Sequence, residues 1–237
     1  MKINESISVF VPAYNEEELI EENIIKINSY LENNFIDFEL FIVDDSSKDN
    51  TTNIAKRIAK NKIKYLRFDD GPSRRENLAV AMTQAKNNII VYMDLDLSTD
   101  LNYLSGLVNK IVIDNYDISI GSRYKGIKPK RKLDRLVLSK TYNTTLRILF
   151  GSKICDHQCG FKAFKKNVIF ELIKDAGYDK EFKRGWFWDA EILIRAQKKK
   201  YKIFELPVTW LFGQKSSFKM KKEIKLIPYL LKLRLSM

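Results

Sequence analysis

Residues 89–100 read IIVYMDLDLSTD, an apolar run that ends in Asp94 and Asp96, one residue apart, with Asp100 close behind. Carboxylates at that spacing can aim at one point where a strand leaves its sheet, and they repel unless a cation lies between them. A hard divalent ion, Mg²⁺ or Mn²⁺, suits the pair: it would take one or two of the oxygens and fill its shell with water and phosphate. The same acids also read as solvated turn residues before a helix that Ser98, Thr99 or Asp100 caps.

A second set of acids, Asp44 and Asp45, opens the stretch VDDSSKDNT at 43–51. Carboxylates there can accept from a ribose hydroxyl or a base N–H, as acids do at the same rim of dinucleotide-binding folds. The alternative is a helix cap from Ser47, Asp49 or Asn50 with spare acids beside it. No G-x-G-x-x-G follows the first apolar run and no Walker lysine motif occurs, which disfavours dinucleotide and P-loop binding. Cys155, His157 and Cys159 lie close together. Their spacing is not that of a zinc finger or ribbon, so they read as two reduced thiols and a polar loop histidine.

These residues need a scaffold. ISVFVP (7–12), FELFIVDD (38–45), KYLRF (64–68), NIIVYMD (88–94) and DISIGS (117–122) read as strands. Between them lie helical stretches, the first with Leu19, Ile20, Ile24, Ile27 and Leu31 near helical spacing. The alternation and the nearly continuous apolar strands predict an α/β fold, a Rossmann-like, mostly parallel sheet flanked by helices. Ligands of such sheets bind outside the carboxyl ends of the strands. PAYNE (12–16), VDD (43–45) and MDLD (93–96) all belong on that rim. Farther on, 132–151 and 186–200 read as helices, CGFKAFKKNVIFELIKDAG (159–177) as strand, turn and helix, and 202–210 as a strand with Pro207 at a sheet edge. The tail from Phe218 interleaves lysines with Ile, Leu and Met, with Pro228 kinking or restarting a helix.

The chain has 237 residues and an apolar share of 45%, enough for one large domain with a sizeable core. Lys and Arg outnumber Asp and Glu by 42 to 30, a net charge of +12, which asks for an anionic partner: nucleic acid, membrane lipid or a phosphorylated substrate. A nucleic-acid binder would have no use for acids at three strand ends. A metal-dependent nucleotidyltransferase would want a phosphate-cradling glycine loop where AYNE stands. No apolar run nears the ~20 residues of a membrane span, and the N-terminus lacks a signal-peptide core. The expected place is the cytoplasm, peripheral on the cytoplasmic face of the membrane.

VPAYNE, VDDSSKDNT, MDLDLSTD, GSRY (121–124) and CGFKAFKK (159–166) occur in this order. Together they resemble glycosyltransferase family 2, in particular its dolichyl-phosphate mannose and glucose synthases, over about residues 7–212. The resemblance implies a GT-A fold, a nucleotide-sugar donor (UDP- or GDP-sugar), a divalent metal, and inverting transfer of a hexose to polyprenyl or dolichyl phosphate. It implies one catalytic domain over 1–237: a donor half at 7–125, an acceptor half at 126–212 and an amphipathic tail at 213–237. Pro12, Tyr14 and Glu16 match its first nucleotide-contacting motif, and Asp44 or Asp45 its base- or ribose-holding acid. Asp94 and Asp96 match its metal and diphosphate site, with Leu95 between them among the nucleotide-sugar-binding residues. DLSTD is closer in wording to the glucose-type branch.

The family's Gly-Lys-Gly loop is replaced by GPSRREN (71–77), where Arg74 and Arg75 can supply the positive charge. Arg123, Arg135 and Ser139 resemble the acceptor-phosphate residues, and Asp156 an active-site acid. Asp189 and Glu191 stand where related transferases carry a catalytic base; they can instead orient sugar hydroxyls or pair with arginines. A lipid acceptor implies contact with a membrane surface, through helix 132–150 and the basic, apolar tail, and leaves room for a separate membrane subunit. The other reading within the same fold is transfer to a glycan or another lipid.

Overall fold

Seven apolar runs become strands: β1 (Ile7–Ala13), β2 (Phe38–Asp44), β3 (Ile63–Arg67), β4 (Ile89–Met93), β5 (Ile118–Ser122), β6 (Phe161–Lys165) and β7 (Ile203–Pro207). The computed structural model describes residues 2–72, 75–125, 133–178, 184–185, 187–210 and 227–236. The strands form one sheet in the order β3-β2-β1-β4-β6-β5-β7. Among the described residues only β6 runs antiparallel, wedged between β4 and β5; the other pairings are parallel. Pro207 ends the edge strand β7, where a missing N–H costs no ladder bond. The expected turn after β6 is absent, since α6 (Lys166–Ala176) follows at once.

Alternation along the strands sends side chains to two cores. Val9, Val11, Leu40, Ile42, Val91 and Phe161 pack on one face under α1 (Ile20–Asn34) and α4 (Tyr103–Val112). Phe10, Phe41, Val43, Ile90, Tyr92 and Phe164 pack on the other under α3 (Arg75–Met82), α6 and α7 (Phe187–Lys198). In α1 the buried apolar residues Ile20, Ile24, Ile27 and Leu31 share one stripe, as helical periodicity requires. The remaining helix of the first half of the chain is α2 (Thr51–Ile58). It is started by Asp49, whose carboxylate accepts from the Thr51 N–H at 3.0 Å.

Two helices complete the second half, α5 (Leu133–Phe150) and α8 (Ile227–Ser236). Leu146 and Phe150 of α5, Phe187, Ala190 and Ile194 of α7, and Tyr229 and Leu233 of α8 form a third small core. Pro228 falls in the first turn of α8, where a missing N–H breaks no helical bond. The tail at 213–226 lies outside the described residues.

Candidate active site

The rim at the carboxyl ends of β1, β2 and β4 is stitched together by its own loops. Asn15 N–H donates to Ser47 Oγ, Glu16 N–H to Thr51 Oγ1, and Lys48 N–H to Asn15 Oδ1. Each of the three loops holds one non-glycine residue at positive φ: Asn15 at 53°, Ser46 at 69° and Leu97 at 51°. That conformation costs on the order of 1–3 kcal/mol per residue and collects at functional sites. Pro12 lies in β1 opposite Val43, and Tyr14 follows, 37% exposed. Pro12, Tyr14, Glu16, Asp45, Asp94 and Asp96 therefore share one edge.

Asp44 and Asp45 part company. Asp44 is fully buried. Its Oδ1 accepts from Ser47 N–H, and its Oδ2 from Thr52, Tyr65 and Arg67. Burial pushes its carboxyl up, but these donors outweigh it and hold the pKa below the ordinary value. Asp45 reaches the rim, half-buried, and accepts from Asn77 Nδ2 at 2.7 Å. A Cβ at Gly71 would collide with the Asp45 carboxylate, so only glycine lets that loop close over it.

Leu95 explains how the second acid pair is aimed. Its side chain is 3% exposed in the core and its carbonyl accepts from Asn23 Nδ2, which pins the turn between the two carboxylates. Asp96 is exposed and accepts from the N–H and hydroxyl of Ser98. Asp94 rests on Gly160, where any side chain would collide with it. Desolvation and the neighbouring Asp96 hold the Asp94 carboxyl above its usual range, against the opposing pull of Arg75 and Lys162. Among the described residues no three His, Cys, Asp or Glu side chains group as a metal cage. Two oxygen donors with mutual repulsion and open solvent on one side fit Mg²⁺ or Mn²⁺, which keep water and phosphate in their shells.

Cations face these acids. Arg75 opens α3, with Nη2 3.5 Å from Asp94 and Nε 3.4 Å from Asp189. Arg74 lies outside the described residues. Lys162 is 1% exposed and donates to the Cys159 carbonyl and, at 3.2 Å, to Asp189 Oδ1. Burial pushes Lys162 down and Asp189 up from their ordinary values. Asp189 thus joins the Asp94 cluster. Glu191 does not: it is fully buried, with Oε1 accepting from Arg195 and Oε2 from Arg184 and Tyr229.

On the β5 side Asp156 is fully buried and accepts from the Arg123 N–H, Nε and Nη2 at 3.0, 2.7 and 2.7 Å. Tyr124, next in the chain, shares a 2.5 Å hydrogen bond with Ser139 of α5. GSRY and α5 are therefore joined, although the Arg135 side chain lies outside the described residues. His157 lies in the loop between α5 and β6 with polar partners on both ring nitrogens. It is fully buried between Asn143 and Ser152.

Three residues went unnoticed in the sequence: Lys162, Asn77 and Arg184. Lys162 had a signal, because a lysine on a strand covered on both faces must find a buried carboxylate. Arg184 and Asn77 had none, since their partners lie 108 and 32 residues away.

The glycosyl transferase family 2 model matches residues 8–172. Glycosyltransferase AglD of Haloferax volcanii is 37% identical over 213 residues, covering 86% of this chain; the chain spans only about a third (33%) of AglD. Dolichyl-phosphate beta-glucosyltransferase of Saccharomyces cerevisiae is 28% identical over 250 residues, covering 93% of this chain and 73% of the yeast protein. Among solved structures, glucosyl-3-phosphoglycerate synthase from Mycobacterium tuberculosis in complex with UDP superposes with a TM-score of 0.69. It is 19% identical over 97% of this chain and 80% of that one. The same synthase is known with Mn²⁺, UDP and glucosyl-3-phosphoglycerate, at a TM-score of 0.67. That likeness places the α/β sheet in the GT-A fold, and with the match over most of its length the chain belongs to glycosyltransferase family 2.

Proposed function

We propose that the protein transfers a hexose from a nucleotide-sugar to a polyprenyl or dolichyl phosphate, with inversion and with Mg²⁺ or Mn²⁺. The observation that carries this reading is the Tyr124–Ser139 hydrogen bond, which ties α5 to the carboxyl end of β5, where Asp156 holds Arg123. A phosphate acceptor needs cations and hydroxyls at that place rather than a strong base. The yeast and Trichomonas vaginalis relatives named dolichyl-phosphate beta-glucosyltransferase support it.

In this reading residues 7–125 hold the donor and 126–212 the acceptor, within one catalytic unit. Tyr14, Pro12 and Glu16 line the nucleoside. Asp45 takes the base or ribose, because the oxygens of Asp44 already serve Ser47, Thr52, Tyr65 and Arg67. Asp94 and Asp96 hold the ion, which when bound neutralises charge on the leaving diphosphate. Arg123, Arg135 and Ser139 hold the acceptor phosphate, and Asp156 orients Arg123. One phosphate oxygen forms a bond to the anomeric carbon as the bond to the diphosphate breaks. Negative charge moves from acceptor to leaving group and no proton need be removed, since a phosphate monoester is largely ionised near neutral pH.

No helix among the described residues is long and apolar enough to cross a membrane. The lipid is reached at a surface. Val137 and Ile148 on α5 and Leu231 and Leu235 on α8 are exposed, beside exposed Lys140, Arg147, Lys232 and Arg234, a mixture suited to anionic lipid on the cytoplasmic face. A separate membrane subunit is compatible with the same surface.

The test is purified protein with Mg²⁺ or Mn²⁺, labelled UDP- and GDP-sugars and dolichyl phosphate. Label in the lipid phase, lost on chelation, is expected. Label only in a soluble glycan acceptor would instead establish the other reading within the family.

A further inference from the structure

Glu205 is a charged residue in the middle of β7, 8% exposed and paired in the sheet with Ile120 of β5. A carboxylate so placed needs partners, and it takes them from two segments of the chain. Oε1 accepts from the backbone N–H of Cys155 at 3.0 Å and of Asp156 at 3.1 Å. Oε2 pairs with Lys125 at 3.2 Å. Lys125 follows GSRY directly, and Asp156 is the acid that grips Arg123. Two rungs therefore join 123–125 to 155–156: Arg123 to the Asp156 side chain, and Lys125 through Glu205 to the Asp156 backbone. The first rung depends on the second. Arg123 is 6% exposed and gives its backbone N–H, Nε and Nη2 to Asp156, so among the described residues Nη1 is the nitrogen left to meet a ligand. The rings of Tyr124 and Trp210 stand 5.8 and 5.9 Å from the guanidinium. Such contacts limit its tilt but select no direction within its plane. That direction follows the Asp156 carboxylate, and the carboxylate follows the backbone that Glu205 holds by two N–H groups.

We propose that Glu205 is a positioning residue of the acceptor site: by fixing the backbone at Cys155 and Asp156 it aims Arg123 Nη1 at the acceptor phosphate. The inference rests on the reading that Arg123 holds that phosphate. What the site requires of Glu205 is an oxygen at the right reach, since both of its bonds to the loop are made by that one atom. Its charge serves Lys125, which is 46% exposed along its side chain, and an ion pair with so exposed a partner is worth little. Glutamine keeps the reach and loses the charge. Aspartate keeps the charge and, one methylene shorter, loses the reach. The two substitutions separate positioning from electrostatics.

The test is calorimetric binding of farnesyl phosphate, a soluble polyprenyl monophosphate, to the full chain, beside binding of whichever of UDP or GDP the parent takes with Mn²⁺. Glu205→Asp is expected to weaken farnesyl phosphate roughly fivefold or more, the scale of a bent or lost hydrogen bond to a charged group, and to leave the nucleotide within about twofold. Glu205→Gln should keep farnesyl phosphate within about threefold of the parent, the loss of a weak ion pair. Beside Asp156→Asn, Glu205→Asp should cost less than about twofold more, because it acts through Asp156. A larger loss in Glu205→Gln than in Glu205→Asp, equal losses for the two ligands, or an undiminished effect beside Asp156→Asn overturns the proposal. Arg123→Gln separates the two levels: parent-like binding of farnesyl phosphate by that variant would remove the acceptor reading itself. A second measurement needs no ligand. The arginine Nε–H resonance assigned by its loss in Arg123→Lys should shift in Glu205→Asp and stay near its parent position in Glu205→Gln. A resonance unmoved in Glu205→Asp would show that Glu205 does not position Arg123.

Discussion

Arg123 and Asp156 form a two-pronged ion pair inside the protein, Nε to Oδ2 and Nη2 to Oδ1, each at 2.7 Å, with the Arg123 backbone N–H adding a third bond. Burial pushes the Asp156 carboxyl up, yet Arg123 outweighs it and holds the group below its ordinary range. Breaking a buried pair by removing one charge costs about 3–5 kcal/mol. Asp156→Asn is expected to lose that much stability in urea unfolding. It should also raise the KM for the lipid phosphate more than the KM for the donor, because Arg123 loses its orientation. Equal changes in the two KM values would place Asp156 outside the acceptor side.

Asp96 and Asp44 should separate binding from folding. Asp96 is exposed and bonded only to Ser98 among the contacts seen, so Asp96→Ala is expected to change stability by less than about 1 kcal/mol. Transfer should fall by a factor of about 10² or more, as when a group that stabilises transition-state charge is removed. Asp44→Asn should do the reverse in kind. Its amide would set a donor against Thr52, Tyr65 and Arg67 or, turned over, against the Ser47 N–H, at a cost of about 3 kcal/mol. Parent-level transfer by Asp96→Ala would sink the ion assignment.

The alternation of apolar runs and helical stretches made β1 to β5 and their helices legible, because period and punctuation are local properties. The rim followed from them, since strand ends fix where Asp45, Asp94 and Asp96 emerge. The insertion of β6 against the direction of its neighbours was not legible. Nothing local in FKAFK says that it lies between β4 and β5, and with it goes the position of Lys162. The difference between Asp44 and Asp45 was hidden for the same reason. Alternation puts adjacent residues on opposite faces, but only the arrival of Tyr65 and Arg67 from β3 shows which acid is used internally. Likewise Asp189 and Glu191, two apart on α7, were equivalent as sequence. A helix turns about 200° over two residues, which sends one to Arg75 and the other to Arg184.

Glu191 offers a clean contrast with Asp189. Both of its oxygens are engaged, by Arg195, Arg184 and Tyr229, and Arg184 also reaches Glu76 and the carbonyls of Ala176 and Gly177. The network ties α3, α7 and α8 together. Glu191→Gln is expected to destabilise the protein by about 3 kcal/mol. Turnover per folded molecule should stay within about threefold of the parent, under ~0.7 kcal/mol of barrier. A hundredfold loss of turnover at full folding would instead make Glu191 part of the chemistry.

His157 should give the folded state a defined acid limit. Asn143 Oδ1 can only accept, so His157 Nδ1–H donates to it at 2.8 Å, and Nε2 accepts from the Ser152 hydroxyl, also at 2.8 Å. The ring is neutral, joining α5 to the loop that carries Asp156. Burial lowers its pKa from 6.5 to about 4; Asp156 opposes that shift, while Lys162 and Arg147 add to it. The unfolded chain therefore takes up a proton near pH 6.5 that the folded chain refuses until about pH 4. Stability from this group is complete above the unfolded value and is lost as the pH falls through that window, by about 3 kcal/mol in all. Other groups titrate in the same range, notably Asp189, raised to about 6, so the informative quantity is a difference. Urea unfolding of the parent and of His157→Gln should diverge in pH dependence between pH 6.5 and 4 and run parallel above it, with the parent losing more on acidification. Parallel curves through the whole range would mean that the imidazole titrates alike in both states and that its burial does not govern its charge.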